Sequence, residues 1–410
     1  MLPLFYVISH YSNLPFRAWE QRELGELMNV KSVKRIHQSD WTDKGIRFLR
    51  ARDIVSASKG KAPSEYLYIS RKIYEEYSKI SGKVENGDLL VTGVGSIGIP
   101  MLINHDEPLY FKDGNIIWFQ NMKYINGEFF YYSFISYSIQ KFIRDSAGTG
   151  TVGTYTIDSG RKTPIYLSNN NEQEKIGSFF KLLDNTIALH QRKLDTLKLM
   201  KKGLLQQMFP KSEEDVPRIR FADFDEEWNQ RKLGEEFEKI NERNDGSFGK
   251  THWISVAKMY FVEPNKVLSN NIDTRTYVMR KGDIAFEGHS NTDFKFGRFV
   301  ANDIGPGIVS ELFPVYRHKT NYDNNYWKNA IQLEHIMAPI YSKSITSSGN
   351  SSNKLDSKHF LNQKIYIADF EEQEKIGSIF KQLDNTIILY QNKLNKFDIL
   401  KKAYLQTMFI

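Results

Sequence analysis

Apolar residues recur at alternating steps of four and three along residues 172–209, at Ile176, Phe180, Leu183, Ile187, Leu194, Leu197, Leu204 and Met208, with His190 and Lys201 completing the rhythm. The same spacing returns along residues 372–409, at Ile376, Phe380, Leu383, Ile387, Tyr390, Leu394, Phe397, Lys401, Tyr404 and Met408. This period is the seam of a coiled coil, so the pattern predicts two long helices. At a rise of 1.5 Å per residue each would be about 57 Å long. Asn169 with Glu172, and Asp369 with Glu372, have capping-box spacing. Neither segment contains an internal proline, and Pro210 follows the first. A lone helix with such a stripe would leave it in water, so the two are expected to pack on each other. An antiparallel pairing would relate the halves of the chain by an approximate two-fold axis. Lys201 and Lys401 hold the same seam position. The plainer reading is that they snorkel near the helix C-termini, where the dipole favours a cation. The alternative is that they fix the register.

The two segments are copies. "EQEKIGSFFKLLDNTI" and "EQEKIGSIFKQLDNTI" lie 200 residues apart, and about two-thirds of the positions match over the whole repeat. A weaker echo precedes each copy: "WEQRELGEL" from Trp19 and "WNQRKLGEEF" from Trp228, then "NGDLLVTG" around Asp88 and "KGDIAFEG" around Asp283. Between them, short β-type runs such as "EYLYIS", "NIIWF" and "IVSELFPVY" alternate with turn-rich stretches. "GEFFYYSFISYSIQKFI" and "NYWKNAIQLEHIMAPIYS" each have the apolar length of a buried helix. His252 and Trp253 match the place of Phe48 and Leu49, which suggests a buried or edge-packing role. The expected fold is α+β. It has two mixed α/β domains at 1–168 and 211–368, separated by helices at 169–210 and 369–410 that pack as an antiparallel coiled coil. Residues 211–227 have linker composition.

Composition narrows the chemistry. With no cysteine, disulfides and thiolate metal sites are excluded, and the nine histidines show no ligand spacing. No apolar run reaches membrane-spanning length, and the opening "MLPLFYVI" lacks the features of a signal peptide, so a cytoplasmic location is expected. The net charge of +7 suits a polyanionic partner. "LLVTGVGSIGIP" contains Gly93-x-Gly95-x-x-Gly98, the dinucleotide-binding spelling. However, a dinucleotide site needs a helix directly after the glycines, and here Pro100 and a second strand-like run follow. A glycine-permitted hairpin is the better reading. "NDGSFGKT" has Asn244 where a phosphate loop needs its first glycine. The chain reads as a recogniser without a catalytic centre or cofactor of its own.

The order of globular unit, signature helix, globular unit and matching helix resembles the specificity subunit of type I restriction–modification enzymes. The residues that carry the resemblance are "WEQRELGEL", "WNQRKLGEEF", both "EQEKIGS…LDNTI" helices and the pair "GDLLVT"/"GDIAFE". The resemblance implies two target-recognition domains, each reading half of a split target in double-stranded DNA. It implies helices that set the unread gap and dock two modification subunits, which carry S-adenosylmethionine and methylate adenine. It also implies restriction subunits that use ATP and Mg. Two readers on a rigid support would contact sites about one helical turn apart, roughly 34 Å.

Recognition loops differ with their targets, so base contacts do not carry over from the family. Basic and amide residues near glycine- or serine-rich loops are the candidates. In the first domain these are Lys31, Lys34, Arg35, Arg50, Arg52, Lys59, Lys61, Arg144, Arg161 and Lys162. In the second they are Arg243, Asn244, Lys250, His289, Asn291, Lys295, Arg298, Lys343, Asn350 and Lys354. The competing reading is a protein-binding coiled-coil scaffold whose basic charge is incidental.

Overall fold

A computed structural model describes residues 19–147, 153–211, 214–268, 272, 274–348 and 352–409. Both seam patterns are continuous helices, Asn170–Gln207 and Phe370–Met408. The chain forms two compact units that cut across these helices. One runs to His190 and resumes at Lys393; the other is Gln191–Asn392. Each unit therefore owns one recognition region, the first half of one helix and the second half of the other.

Within each unit the two half-helices run antiparallel. In the first, Phe180 meets Phe409, Phe179 meets Tyr404 and His190 meets Phe397, at ring separations of 5.7, 5.3 and 5.2 Å. Position numbers rise on one helix as they fall on the other. In the second unit Phe380 meets Phe209 at 6.1 Å. Ile176, Phe180, Leu183, Leu194 and Leu197 are buried, as are Ile376, Phe380, Leu383 and Leu394, while Ile187, Leu204, Ile387 and Phe397 are half-buried.

The seam lysines do more than snorkel. Lys201 Nζ lies 2.6 Å from Asp384 Oδ1, and Lys401 pairs in the same way with Asp184. Each half-buried lysine thus meets the aspartate of the "LDNTI" stretch on the facing helix. Any slip along the pair would separate both charges, so the geometry supports the register role. In the first unit Tyr132 Oη also donates to Asp184, at 2.8 Å.

The recognition regions share a four-stranded antiparallel sheet. In the first unit its order is Asn29–Lys31, Ile116–Gln120, Leu89–Thr92, Pro100–Leu102. In the second it is Phe237–Ile240, Val315–His318, Ile284–Glu287, Arg298–Ala301. The Gly93–Gly98 motif is the turn of a hairpin: Val91 pairs with Pro100, Gly95 and Gly98 have φ of +77° and +75°, and Gly98 N donates to Thr92 O. Pro100 opens an edge strand, where its missing N–H costs no ladder bond. No helix begins there, so the pyrophosphate-binding geometry is absent.

Each expected buried helix is broken into two. Gly127–Phe134 is followed by Tyr137–Ser146, because Ser136 adopts an extended conformation and starts a new helix. Asn324–Ala330 is likewise followed by Glu334–Ser344 after an extended Leu333. Apolar periodicity alone did not reveal these breaks of two and three residues. His252 is exposed but packs edgewise on Phe248 and Phe261, and Trp253 bridges Ile308 in parallel, as Phe48 pairs with Tyr110 in the first unit.

His318 sits in an aromatic sandwich, stacked 3.8 Å from Tyr322, with Phe237 at 4.3 Å and Trp327 at 5.3 Å. Among the described residues neither ring nitrogen has a hydrogen-bond partner, and burial pushes its pKa down to about 3. The unfolded chain therefore takes up this proton first as pH falls below about 6.5. Stability from neutral His318 is complete above that pH and is lost progressively toward pH 3. We expect acidification from pH 7 to pH 4.5 to cost the wild type about 2 kcal/mol more than His318→Phe. Urea unfolding at the two pH values checks this; equal losses would refute it.

Candidate nucleic-acid interface

The repeated signature builds a clamp at the start of each long helix. Trp228 Nε1 donates to Glu372 at 3.0 Å, and Arg220 forms a two-pronged pair with the same carboxylate, both contacts at 2.9 Å. In the first unit Trp19 Nε1 donates to Glu172 at 3.4 Å. These glutamates serve the tryptophans, although Asn169 does accept from Glu172 N at 3.0 Å as a cap. Gln173 and Gln373 each accept from the backbone of the next helix start, at Asn126 N and Asp323 N, and donate to Ser168 O and Ala368 O. Gly177 and Gly377 let those helix starts approach: a Cβ would lie 2.8 Å from Asn126 Oδ1, or 1.9 Å from Asp323 Oδ1. An aromatic cluster closes each clamp, Trp19, Phe129, Phe180 and Phe409 in one unit and Trp228, Tyr326, Phe380 and Phe209 in the other. Every letter of "E-Q-x-x-x-G" thus has a contact that fixes a recognition region to its helix.

The first unit distributes its candidate cations over separate places. Lys31 lies 4.5 Å over the Trp118 ring, and burial lowers its pKa; Lys34 lies 3.8 Å over Tyr77. Arg35 pairs with Asp113 at 2.8 Å, and Arg50 and Arg52 share Glu65 at 3.2 and 3.0 Å. Lys162 pairs with Asp158 at 2.9 Å. Lys59, Lys61, Arg144 and Arg161 are exposed. Arg47, which sequence reasoning missed, stacks 4.4 Å over Tyr66.

The second unit is more concentrated. His289, Asn291, Lys295 and Arg298 lie on or beside the hairpin loop between Ile284–Glu287 and Arg298–Ala301. The strand Asn353–Leu355 brings Lys354 to it, through Asn353 N donating to Gly288 O at 2.9 Å and Asn353 Nδ2 to Ser290 Oγ at 3.0 Å. Asn291 Oδ1 folds the loop by accepting from Asp293 N and Phe294 N. Elsewhere, Arg243 pairs with Glu311 at 2.7 Å, and Lys250 and Lys343 are exposed. Asn244 is 4% exposed, and its amide both donates to and accepts from the Phe248 backbone. It shapes a turn and does not face outward. Asn350 lies outside the described residues.

No group of three or more His, Asp or Glu among the described residues has metal-holding geometry, and no described helix is long and apolar enough to cross a membrane. Residues 17–199 match the family model described as the type I restriction modification DNA specificity domain. A Haemophilus influenzae protein named as a type I restriction enzyme specificity subunit is 30% identical over 170 residues, covering 40% of this chain and 41% of the relative. The S subunit of a type I restriction–modification system from M. genitalium is 16% identical and covers 97% of this chain and 98% of its own, with a TM-score of 0.56. The HsdS subunit from Thermoanaerobacter tengcongensis covers the same shares at 16% identity, with a TM-score of 0.50. Residues 17–199 are therefore similar to the type I restriction modification DNA specificity domain, and over nearly its whole length the chain has the fold of these two solved specificity subunits.

Proposed function

We propose that the chain is the DNA-reading specificity subunit of a type I restriction–modification enzyme. Each recognition region reads one half of a bipartite target, and the paired helices set the gap. The chain itself supplies no catalysis; S-adenosylmethionine, ATP and Mg belong to its partners. The observation that carries this reading is the contrast between sameness and difference within one chain. The long helices bury the same positions in both copies from Glu374 and Glu174 through Tyr390 and His190, and both clamps join a tryptophan to the helix glutamate. The recognition loops differ in length and charge.

The helices also expose matching apolar side chains: Leu189 and Leu389, Leu199 and Ile399, Met200 and Leu400. A contiguous exposed apolar patch is one mark of a protein contact. Two equivalent stripes support two copies of one partner, here the methyltransferase subunits, with restriction subunits added to that core. This stripe would equally serve a scaffold that ignores DNA. Genome-wide adenine-methylation mapping in cells expressing the chain with its methyltransferase partner distinguishes the two. A split motif is expected, along with DNA binding by the complex that weakens with salt. A complex that assembles but shows neither would establish the scaffold reading.

A further inference from the structure

The two units differ most plainly at one equivalent hairpin tip. In the first unit the tip is the short glycine turn of residues 93–99, with no charged side chain. In the second, ten residues, 288–297, join the corresponding strands and include His289, Asn291, Asp293 and Lys295. The surrounding framework is alike. Gly87 N donates to Ile103 O and Gly282 N to Asn302 O, both at 2.8 Å, at the base of the respective hairpins.

From this tip we propose that His289, oriented by the buried carboxylate of Glu287, reads a base edge in the half-site met by the second unit. The proposal rests on the DNA-reading function above. Glu287 is buried within its strand, and its Oε1 accepts from both His289 Nδ1 and His289 N, the latter at 3.1 Å. The imidazole side chain is 62% exposed, so Nε2 is the ring atom left to meet a ligand. The loop around it is set before any ligand arrives. Asn291 caps its turn, Asn353 ties it to the neighbouring strand, and Gly288 permits that approach, since a Cβ there would lie 2.2 Å from Asn353 O. A side chain held by a buried partner on a closed loop loses little freedom on binding, which is what specific readout requires. Lys295 and Lys354 are exposed beside the loop, suited to flanking phosphates, with Asp293 as the exposed acid on the same tip. In the neutral ring Nε2 accepts a hydrogen bond and matches the exocyclic amine of adenine or cytosine; protonated, it donates and matches guanine N7 or O6.

The test is methylation mapping of the complete complex carrying His289→Ala, Glu287→Gln, or both. His289→Ala is expected to relax one base pair in one half of the motif, with a five- to hundredfold loss of discrimination there. The other half should stay as in the wild type, which also shows that the complex assembles. Glu287, a positioning residue, should affect the same base pair when changed to Gln, and the double variant should be no more relaxed there than His289→Ala. An unchanged motif in His289→Ala, or uniformly reduced methylation with no relaxed position, would overturn the assignment while leaving the DNA-reading function intact. A wild-type complex with no split motif would remove both.

Discussion

Glu372→Ala is expected to destabilise the protein by about 3–5 kcal/mol, because it leaves one member of a buried ion pair behind. Glu372 is 1% exposed and holds three donors: Arg220 Nε and Nη2, and Trp228 Nε1. Its loss leaves the Arg220 guanidinium largely buried without its carboxylate, and the indole N–H without an acceptor. It also loosens the segment before Trp228, whose own ring packs on Phe209 and Tyr326. Glu172 is only half-buried and holds Trp19 at a longer 3.4 Å, so Glu172→Ala should cost about 1 kcal/mol, the ordinary value of one hydrogen bond. Urea midpoints of the full-length variants measure both effects. Equal losses would show that the two clamps carry the same load, contrary to the arginine pair seen only in the second among the described residues.

The clamp also shows what the sequence could and could not reveal. The four–three rhythm was enough to read both helices and their seam, because a long amphipathic segment admits few other structures. The repeat of tryptophan and glutamate was visible as well. Their contact was not, since Trp228 and Glu372 are 144 positions apart and only the fold brings them together. Capping-box spacing was half informative: Asn169 does cap Glu172 N, while the side chains of Glu172 and Glu372 accept from tryptophan N–H groups. The seam lysines were ambiguous because their aspartates are identifiable only once the helices are known to run antiparallel. Asn244 was a candidate by type and loop context, and its burial in a turn was not visible in the sequence. Among the candidate contacts, side-chain chemistry was legible; their grouping was not. The strand that carries Lys354 is tied to the His289 loop through Asn353, a pairing that no local pattern encodes.

Leu383→Asp separates the seam from the exposed face of the same helix when set beside Leu389→Asp. Leu383 is 9% exposed and belongs to the cluster that holds Leu197, Ile376 and Phe380. A carboxylate there loses its solvation, leaves a cavity and adds a second negative charge next to Asp384, which already engages Lys201. The combined penalty is several kcal/mol. We expect a sharply lowered urea midpoint and failure to co-purify with the methyltransferase subunit. Leu389 is 51% exposed, so its change to Asp should move the midpoint by less than about 0.5 kcal/mol. If the apolar stripe docks the partner, Leu389→Asp should nevertheless remove one of the two partner copies, and adding Leu189→Asp should abolish co-purification. A stable Leu389→Asp, Leu189→Asp chain that still binds its partner would place docking on another face. A Leu383→Asp chain as stable as the wild type would contradict the packed seam itself, because an exposed position tolerates a charge at little cost and a buried, unpaired one does not.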